Sequence, residues 1–201
     1  MKRNETRLPS TPTTIQMKRV TDPNLNEPPF RIICICLGNI CRSPAAQGVL
    51  ERLIRHRDLD SQFQVDSAGT ASYHVGRPPD ARMLASSAIR GYELRSVAKT
   101  LTKAHVADRQ LILAMDRENY AEIVRISEGD ICRIKMWSDY LNENWPRNVP
   151  DPYFGGTAGF EYVLDMLEAA VPRILAECVL SVSHIDPAKV WLAHEVHRRS
   201  S

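Results

Sequence analysis

Five residues separate Cys36 from Arg42 in the run Cys36-Leu37-Gly38-Asn39-Ile40-Cys41-Arg42-Ser43. A cysteine in its thiolate form is a strong nucleophile, and a guanidinium offers a planar fork that grips two oxygens of one phosphate. The bare spacing is weak evidence in a chain with 5 Cys and 26 Lys and Arg, so its setting has to carry the weight. The loop opens where an apolar run ends and closes where a helix is predicted to begin. Backbone N–H groups and the helix dipole therefore converge on one point, which makes an anion cradle. Gly38 is free to take positive φ and Asn39 tolerates it, as a nest of inward amides requires. At the bottom, Cys36 would face the helix N-terminus and the Arg42 cation, both of which favour a thiolate. Ser43 can donate a hydroxyl to the sulfur and ease its departure.

Such a loop needs elements to hold it. From Arg31 the run IICICL is continuously apolar and β-prone, like a strand buried on both faces. Pro44 suits the first turn of a helix whose apolar positions Val49, Leu50, Leu53 and Ile54 recur at helical spacing. Phe63 to Asp66 reads as a second short strand, residues 79–90 as a helix, and Gln110 to Met115 as a third buried strand. Asp116 is placed to cap a helix running to about Ile126. Ile131 to Trp137 reads as a fourth strand. Phe160 to Leu180 reads as a long helix with Val163, Leu164, Leu167, Val171, Ile174 and Leu175 along one face. Strands alternating with helices predict an α/β, three-layer doubly wound fold around a small parallel sheet of about four strands, with the phosphate loop after the first strand. Ligands of such sheets bind beyond the carboxyl ends of the strands.

The run CLGNICRSPAA resembles the phosphate-binding loop of the low-molecular-weight protein tyrosine phosphatases. Asp66-Ser67-Ala68-Gly69-Thr70, Val75-Gly76-Arg77-Pro78-Pro79-Asp80, Ala114-Met115-Asp116 with Asn119, and Asp151-Pro152-Tyr153-Phe154-Gly155-Gly156 match that family in order and spacing. The resemblance implies hydrolysis of protein phosphotyrosine through a phosphocysteine, with Cys36 as nucleophile, Arg42 as phosphate clamp, Asp151 as general acid and Ser43 stabilising the departing sulfur. It also implies that Asn39 and Ser67 hydrogen-bond to keep the loop in shape, with Asp116 behind Arg42. Leu37, Gly38 and Ile40 would line the site, and Tyr73 and Tyr153 would sandwich the substrate ring, with Phe154 where some members carry a second tyrosine. No metal or organic cofactor is implied. The implied partners are a phosphotyrosine-containing protein or peptide and a tyrosine kinase. Cys36 and Cys41 are expected to join in a protective disulfide under peroxide.

Three rival readings share parts of this pattern. Thioredoxin-coupled arsenate reductases need relay cysteines, and the segment ASSAIRGYELRSVAKT, where a pair would be expected, has none. Protein-arginine phosphatases resemble this loop with threonine in place of Ile40, whose apolar side chain narrows the pocket floor in favour of an aryl phosphate. A non-catalytic phosphotyrosine-binding module would lose the nucleophile or the acid, and both Cys36 and Asp151 are present.

At 201 residues and 43% hydrophobic, the chain can bury one well-formed core. The 26 basic and 24 acidic residues nearly cancel, so no global field draws it onto nucleic acid. No apolar run is long enough for a membrane span and no secretory signal is legible, so cytoplasm is the expected setting. An odd set of five cysteines, three within residues 34–41, suits reduced thiols better than a disulfide scaffold. Cys132 and Cys178, on a predicted strand and helix, are expected to be buried. Residues 1–29 hold five of the 13 prolines and read as a disordered extension, within which Met17 is a second possible start. Residues 30–180 form the expected domain, and 181–201 a tail with a short helix near 187–198. His184, His194 and His197 read as isolated surface histidines rather than metal ligands.

Overall fold

The computed structural model describes residues 28–128 and 131–182. The readings of most of the N-terminal extension, of the tail helix and of the three C-terminal histidines lie outside those residues. Strand β1 (Phe30–Cys36) leads into helix α1 (Arg42–His56), then β2 (Phe63–Gly69) and α2 (Ala81–Ile89). A short α3 (Lys103–Ala107) precedes β3 (Leu111–Ala114), α4 (Arg117–Ser127) and β4 (Ile134–Met136). A 3-10 turn at Trp137–Tyr140 and the long α5 (Thr157–Leu180) complete the order.

The four strands form one parallel sheet in the order β2-β1-β3-β4. Alternation along β1 decides the two faces, because successive side chains point to opposite sides. Ile32, Cys34 and Cys36 join the core beneath α1 and α5, whereas Ile33 and Ile35 join the core beneath α3 and α4. Every residue from Ile32 to Cys36 is buried, which is why β1 is continuously apolar rather than alternating. Each such aliphatic side chain stabilises the fold by about 1.5–3 kcal/mol. The chain leaves β1 for β2 on one side and returns to β3 on the other. The switch point therefore lies between β1 and β3, and the ends of both strands open onto one crevice.

Several boundaries differ from expectation. Strand β2 runs on through Ser67, Ala68 and Gly69, because these residues stay in register with Cys34, Ile35 and Cys36 of β1. Strand β4 is confined to Ile134–Met136, since Trp137 turns into the 3-10 segment and buries its ring completely. Cys132 therefore lies before the strand and is exposed, contrary to the expected burial, while Cys178 is buried as expected. Helix α3 was not legible: it has five residues and one buried side chain, Val106, too little for an apolar period.

One ion network fixes α2, which bears on the site, against α5. Arg90 at the end of α2 pairs with Glu161 at 2.6 Å, Asp165 at 2.7 Å and Glu168 at 3.1 Å. Three carboxylates around one guanidinium hold its pKa above the ordinary value, although burial alone would lower it.

Candidate active site

The loop between β1 and α1 is shaped from outside. Thr70 and Ala71, just past β2, donate backbone N–H groups to the carbonyls of Cys36 and Leu37, both at 2.9 Å. Asp80 donates to the Ile40 carbonyl at 2.8 Å, and Ala45 to Cys41 at 3.2 Å. With these carbonyls turned outward, loop amides can face inward. The Asn39 N–H points at Cys36 Sγ from 3.2 Å.

Asn39 carries the strained turn, with φ of 54°. Its amide is oriented by two partners: Oδ1 accepts from the Lys99 N–H at 3.0 Å, and Nδ2 donates to Ser43 Oγ at 2.9 Å. Ser43 Oγ thereby accepts one bond, and its own hydrogen is shared between Cys36 Sγ, 3.0 Å away, and the Ala68 carbonyl at 3.4 Å. The expected positive φ at Gly38 is absent, and its glycine has another cause. A Cβ there would meet the His74 ring at 2.8 Å. Gly69 is held in the same way, since a Cβ would lie 2.7 Å from the Leu37 carbonyl oxygen. Ser67 also departs from expectation: its hydroxyl donates to Gln47 Oε1 at 2.8 Å on α1 instead of bracing the loop.

Arg42 opens α1 and is buried, so its charge needs partners. Nη1 donates to Asp116 Oδ2 at 2.6 Å and to the Val149 carbonyl at 3.2 Å, and Nη2 donates to Asp151 Oδ2 at 2.8 Å. Of five guanidinium hydrogens these use three, leaving Nε–H and one on Nη2 to meet an anion. Burial works against the cation, but the Cys36 sulfur and the Asp151 and Asp116 carboxylates outweigh it and hold its pKa up. Burial likewise pushes the Cys41 thiol up, helped by Asp80, Cys36 and Asp151. Cys41 is thus a protonated neighbour of the nucleophile.

Asp116 comes to Arg42 because it lies two residues past the end of β3 and caps α4, accepting from the Asn119 N–H at 2.7 Å. Asp151 comes through a strap. Val149 N–H binds the Met115 carbonyl at 2.8 Å beyond β3, and the Arg117 N–H binds Asn148 Oδ1 at 3.2 Å. The strap leaves Asp151 with 38% of its side chain exposed, and its Oδ1 accepts from the Tyr153 N–H at 3.2 Å. Within the loop, Leu37 is exposed and Ile40 is buried. At the aromatic rim, Tyr73 and Tyr153 make no direct ring contact. His74 is the ring that faces Tyr153, with centroids 6.0 Å apart, while Tyr73 is 77% exposed. Phe154 packs edge-on to Tyr153 at 5.1 Å and is 94% exposed.

The structure thus brings together Cys36, Asn39, Cys41, Arg42, Ser43, Asp116 and Asp151, with Tyr153 and Phe154 at the rim. Reasoning from sequence missed His74, Lys99, the Val149 carbonyl and Gln47, all of which act through backbone geometry or through contacts made on folding. Only His74, next to Tyr73 and just before the matched run Val75–Asp80, left a signal that could have been read.

Residues 31–183 match the family model described as low molecular weight phosphotyrosine protein phosphatase. The chain is 44% identical over 148 residues to a low molecular weight protein-tyrosine-phosphatase of Synechocystis sp., covering 73% of this chain and 94% of that one. Among solved structures, a protein tyrosine phosphatase from Entamoeba histolytica superposes with a TM-score of 0.70 at 35% identity, covering 74% of this chain and 96% of that one. A drosophila arginine phosphatase superposes with a TM-score of 0.68 at 28% identity, covering 73% and 96%.

Proposed function

The chain belongs to the low molecular weight phosphotyrosine protein phosphatase family, and from that membership we infer that Cys36, Arg42 and Asp151 carry out the hydrolysis of phosphotyrosine in proteins. It is a protein-tyrosine phosphatase, a hydrolase of phosphoric monoesters. Cys36 Sγ bonds to phosphorus, the bond from phosphorus to the tyrosyl oxygen breaks, and Asp151 gives that oxygen its proton. Tyrosine leaves and a phosphocysteine remains. Water then attacks the phosphorus and passes a proton to Asp151. The P–S bond breaks with its electron pair returning to sulfur, steadied by Ser43 Oγ at 3.0 Å. Arg42 and the loop amides meet the charge on the equatorial oxygens, so the scheme uses neither metal nor organic cofactor.

One observation carries this reading: Arg42 reaches Asp151 at 2.8 Å from the same loop in which Cys36 Sγ meets the Asn39 N–H and Ser43. Nucleophile, clamp and acid converge although the last two lie 109 positions apart in the chain. Ile40 is a buried loop residue, and its apolar side chain is the feature that favours an aryl phosphate over phosphoarginine. Residues 30–180 are taken as the catalytic domain, flanked by the 1–29 and 181–201 extensions. A reducing cytoplasmic setting, with a tyrosine kinase supplying the substrate, suits a mechanism that depends on a free thiol.

Turnover of phosphotyrosine, phosphoserine and phosphoarginine peptides tests the reading. The phosphotyrosine peptide is expected to be hydrolysed by the wild type and left intact by Cys36→Ser, which still binds vanadate because the cradle and Arg42 survive. Preferred turnover of phosphoarginine, or turnover by Cys36→Ser, would overturn it.

A further inference from the structure

Arg82 touches none of the reacting groups, yet the two loops of the site are joined through it. Its guanidinium lies over the Tyr153 ring, 5.5 Å from the centroid, and over the buried Phe160 ring of α5 at 4.7 Å. Nη1 points at the Gly155 carbonyl from 3.5 Å. On the other edge, Nε donates to Asp80 Oδ1 at 3.0 Å and Nη2 to Oδ2 at 2.8 Å. Asp80 is itself fixed twice. Its carboxylate caps α2 by accepting from the Arg82 N–H at 2.9 Å, and its N–H holds the Ile40 carbonyl of the phosphate loop at 2.8 Å. A connected path therefore runs from the phosphate loop through Asp80 and Arg82 to Tyr153.

Tyr153 needs such support. It sits in a turn that the Gly155 N–H closes on the Pro152 carbonyl at 2.9 Å, which fixes the backbone but leaves the ring to be held by its neighbours. Its other ring neighbours are His74 and the almost fully exposed Phe154. A guanidinium that grips a carboxylate with one edge while its face lies on aromatic rings is a rigid spacer, which an ammonium cannot reproduce. The grip also holds the Asp80 carboxyl below the usual carboxylate range, against a smaller opposing effect of burial.

We propose that Arg82 is a positioning residue that fixes the Tyr153 ring at the mouth of the phosphate loop and thereby sets the affinity for aryl phosphates. This rests on the phosphotyrosine reading of the same site. Arg82 acts on the ring of the substrate through the ring of Tyr153, and leaves the phosphate subsite alone.

Steady-state kinetics on a phosphotyrosine peptide, with inorganic phosphate as competitive inhibitor, test this in Arg82→Met, Tyr153→Leu and the double variant. Arg82→Met is expected to raise KM for the peptide about tenfold, with kcat within about twofold and the inhibition constant for phosphate unchanged. In the Tyr153→Leu background the same substitution should add less than about twofold, because its effect passes through that ring. Arg82→Lys keeps the charge and the aliphatic stem, so it should raise KM by a smaller factor, and it substitutes if the methionine variant does not fold. An unchanged KM, an equal rise in KM and in the phosphate constant, or effects that multiply in the double variant would each overturn the role. The wild-type rate separates this from the parent reading: a wild type without turnover on the peptide removes both.

Discussion

Asp151 is the residue whose chemistry depends most on its partners. It is 38% exposed, tied to Arg42 at 2.8 Å, and turned back by a bond from the Tyr153 N–H. Its proton matters in proportion to the basicity of the leaving oxygen. A tyrosyl oxygen with a pKa near 10 leaves slowly without a proton, whereas a nitrophenolate with a pKa of about 7 departs readily. Asp151→Asn is therefore expected to slow phosphocysteine formation about 100-fold or more for phosphotyrosine, and far less for nitrophenyl phosphate. Pre-steady-state bursts with the two substrates measure this step apart from hydrolysis of the intermediate. Equal slowing would leave Asp151 a structural residue. Cys36 and Arg42 have no such dependence on the leaving group, since both act on the phosphoryl group common to every substrate.

Among the elements, α4 is the one whose start serves two purposes. The same Asp116 carboxylate accepts from the Asn119 N–H at 2.7 Å, capping the helix, and from Arg42 Nη1 at 2.6 Å. Amide and carboxylate are both good caps, but only the carboxylate pairs with a buried cation. Asp116→Asn should accordingly keep the cap but leave buried Arg42 short of a counter-charge, costing on the order of 1 kcal/mol or more of unfolding free energy while lowering kcat/KM about tenfold. Asp116→Ala should lose that activity, and the lost cap should cost about 1 kcal/mol beyond the asparagine variant. Urea melts beside kinetics on both variants separate the cap from the site. An asparagine variant as active as the wild type would show that Arg42 does not need the charge of Asp116.

Across the whole molecule, Asp66 ties the middle of β2 to segments far along the chain. Lys99 Nζ donates to its two oxygens at 2.6 and 2.8 Å and Arg109 Nη2 at 3.2 Å, while the Ser67 N–H donates at 2.8 Å. Burial would raise its pKa, but these donors together outweigh burial and hold it below the usual carboxylate range. A carboxyl with a depressed folded pKa contributes stability above its unfolded value, and that contribution is lost as pH falls through the folded value. Lys99 is partly exposed, so the effect is screened. Asp66→Asn is expected to cost about 1 kcal/mol at pH 7 and progressively less below about pH 4. Unfolding at a series of pH values checks this, and a deficit that stays constant into acid would refute it.

What the chain settled by itself was the local pattern. The apolar run from Ile32 to Cys36, the cap at Asp116 and the long apolar face of α5 were legible because burial and capping impose periods and residue types on neighbours in sequence. The cysteine-arginine loop was legible for the same reason, since one turn holds all its parts. Tertiary structure alone decided which distant groups complete it. The left-handed residue is Asn39 and not Gly38, because the Lys99 N–H and Ser43 hold the Asn39 side chain and His74 lies against Gly38. Ser67 within β2 donates to Gln47 on α1, whereas beyond the strand ends His74 faces Tyr153 and Arg82 lies between Tyr153 and Phe160, since side chains from four separate segments must share that space. Those contacts join residues with no common period along the chain, so no local pattern encodes them; they exist only once the parallel sheet has brought the ends of β1, β2 and β3 side by side.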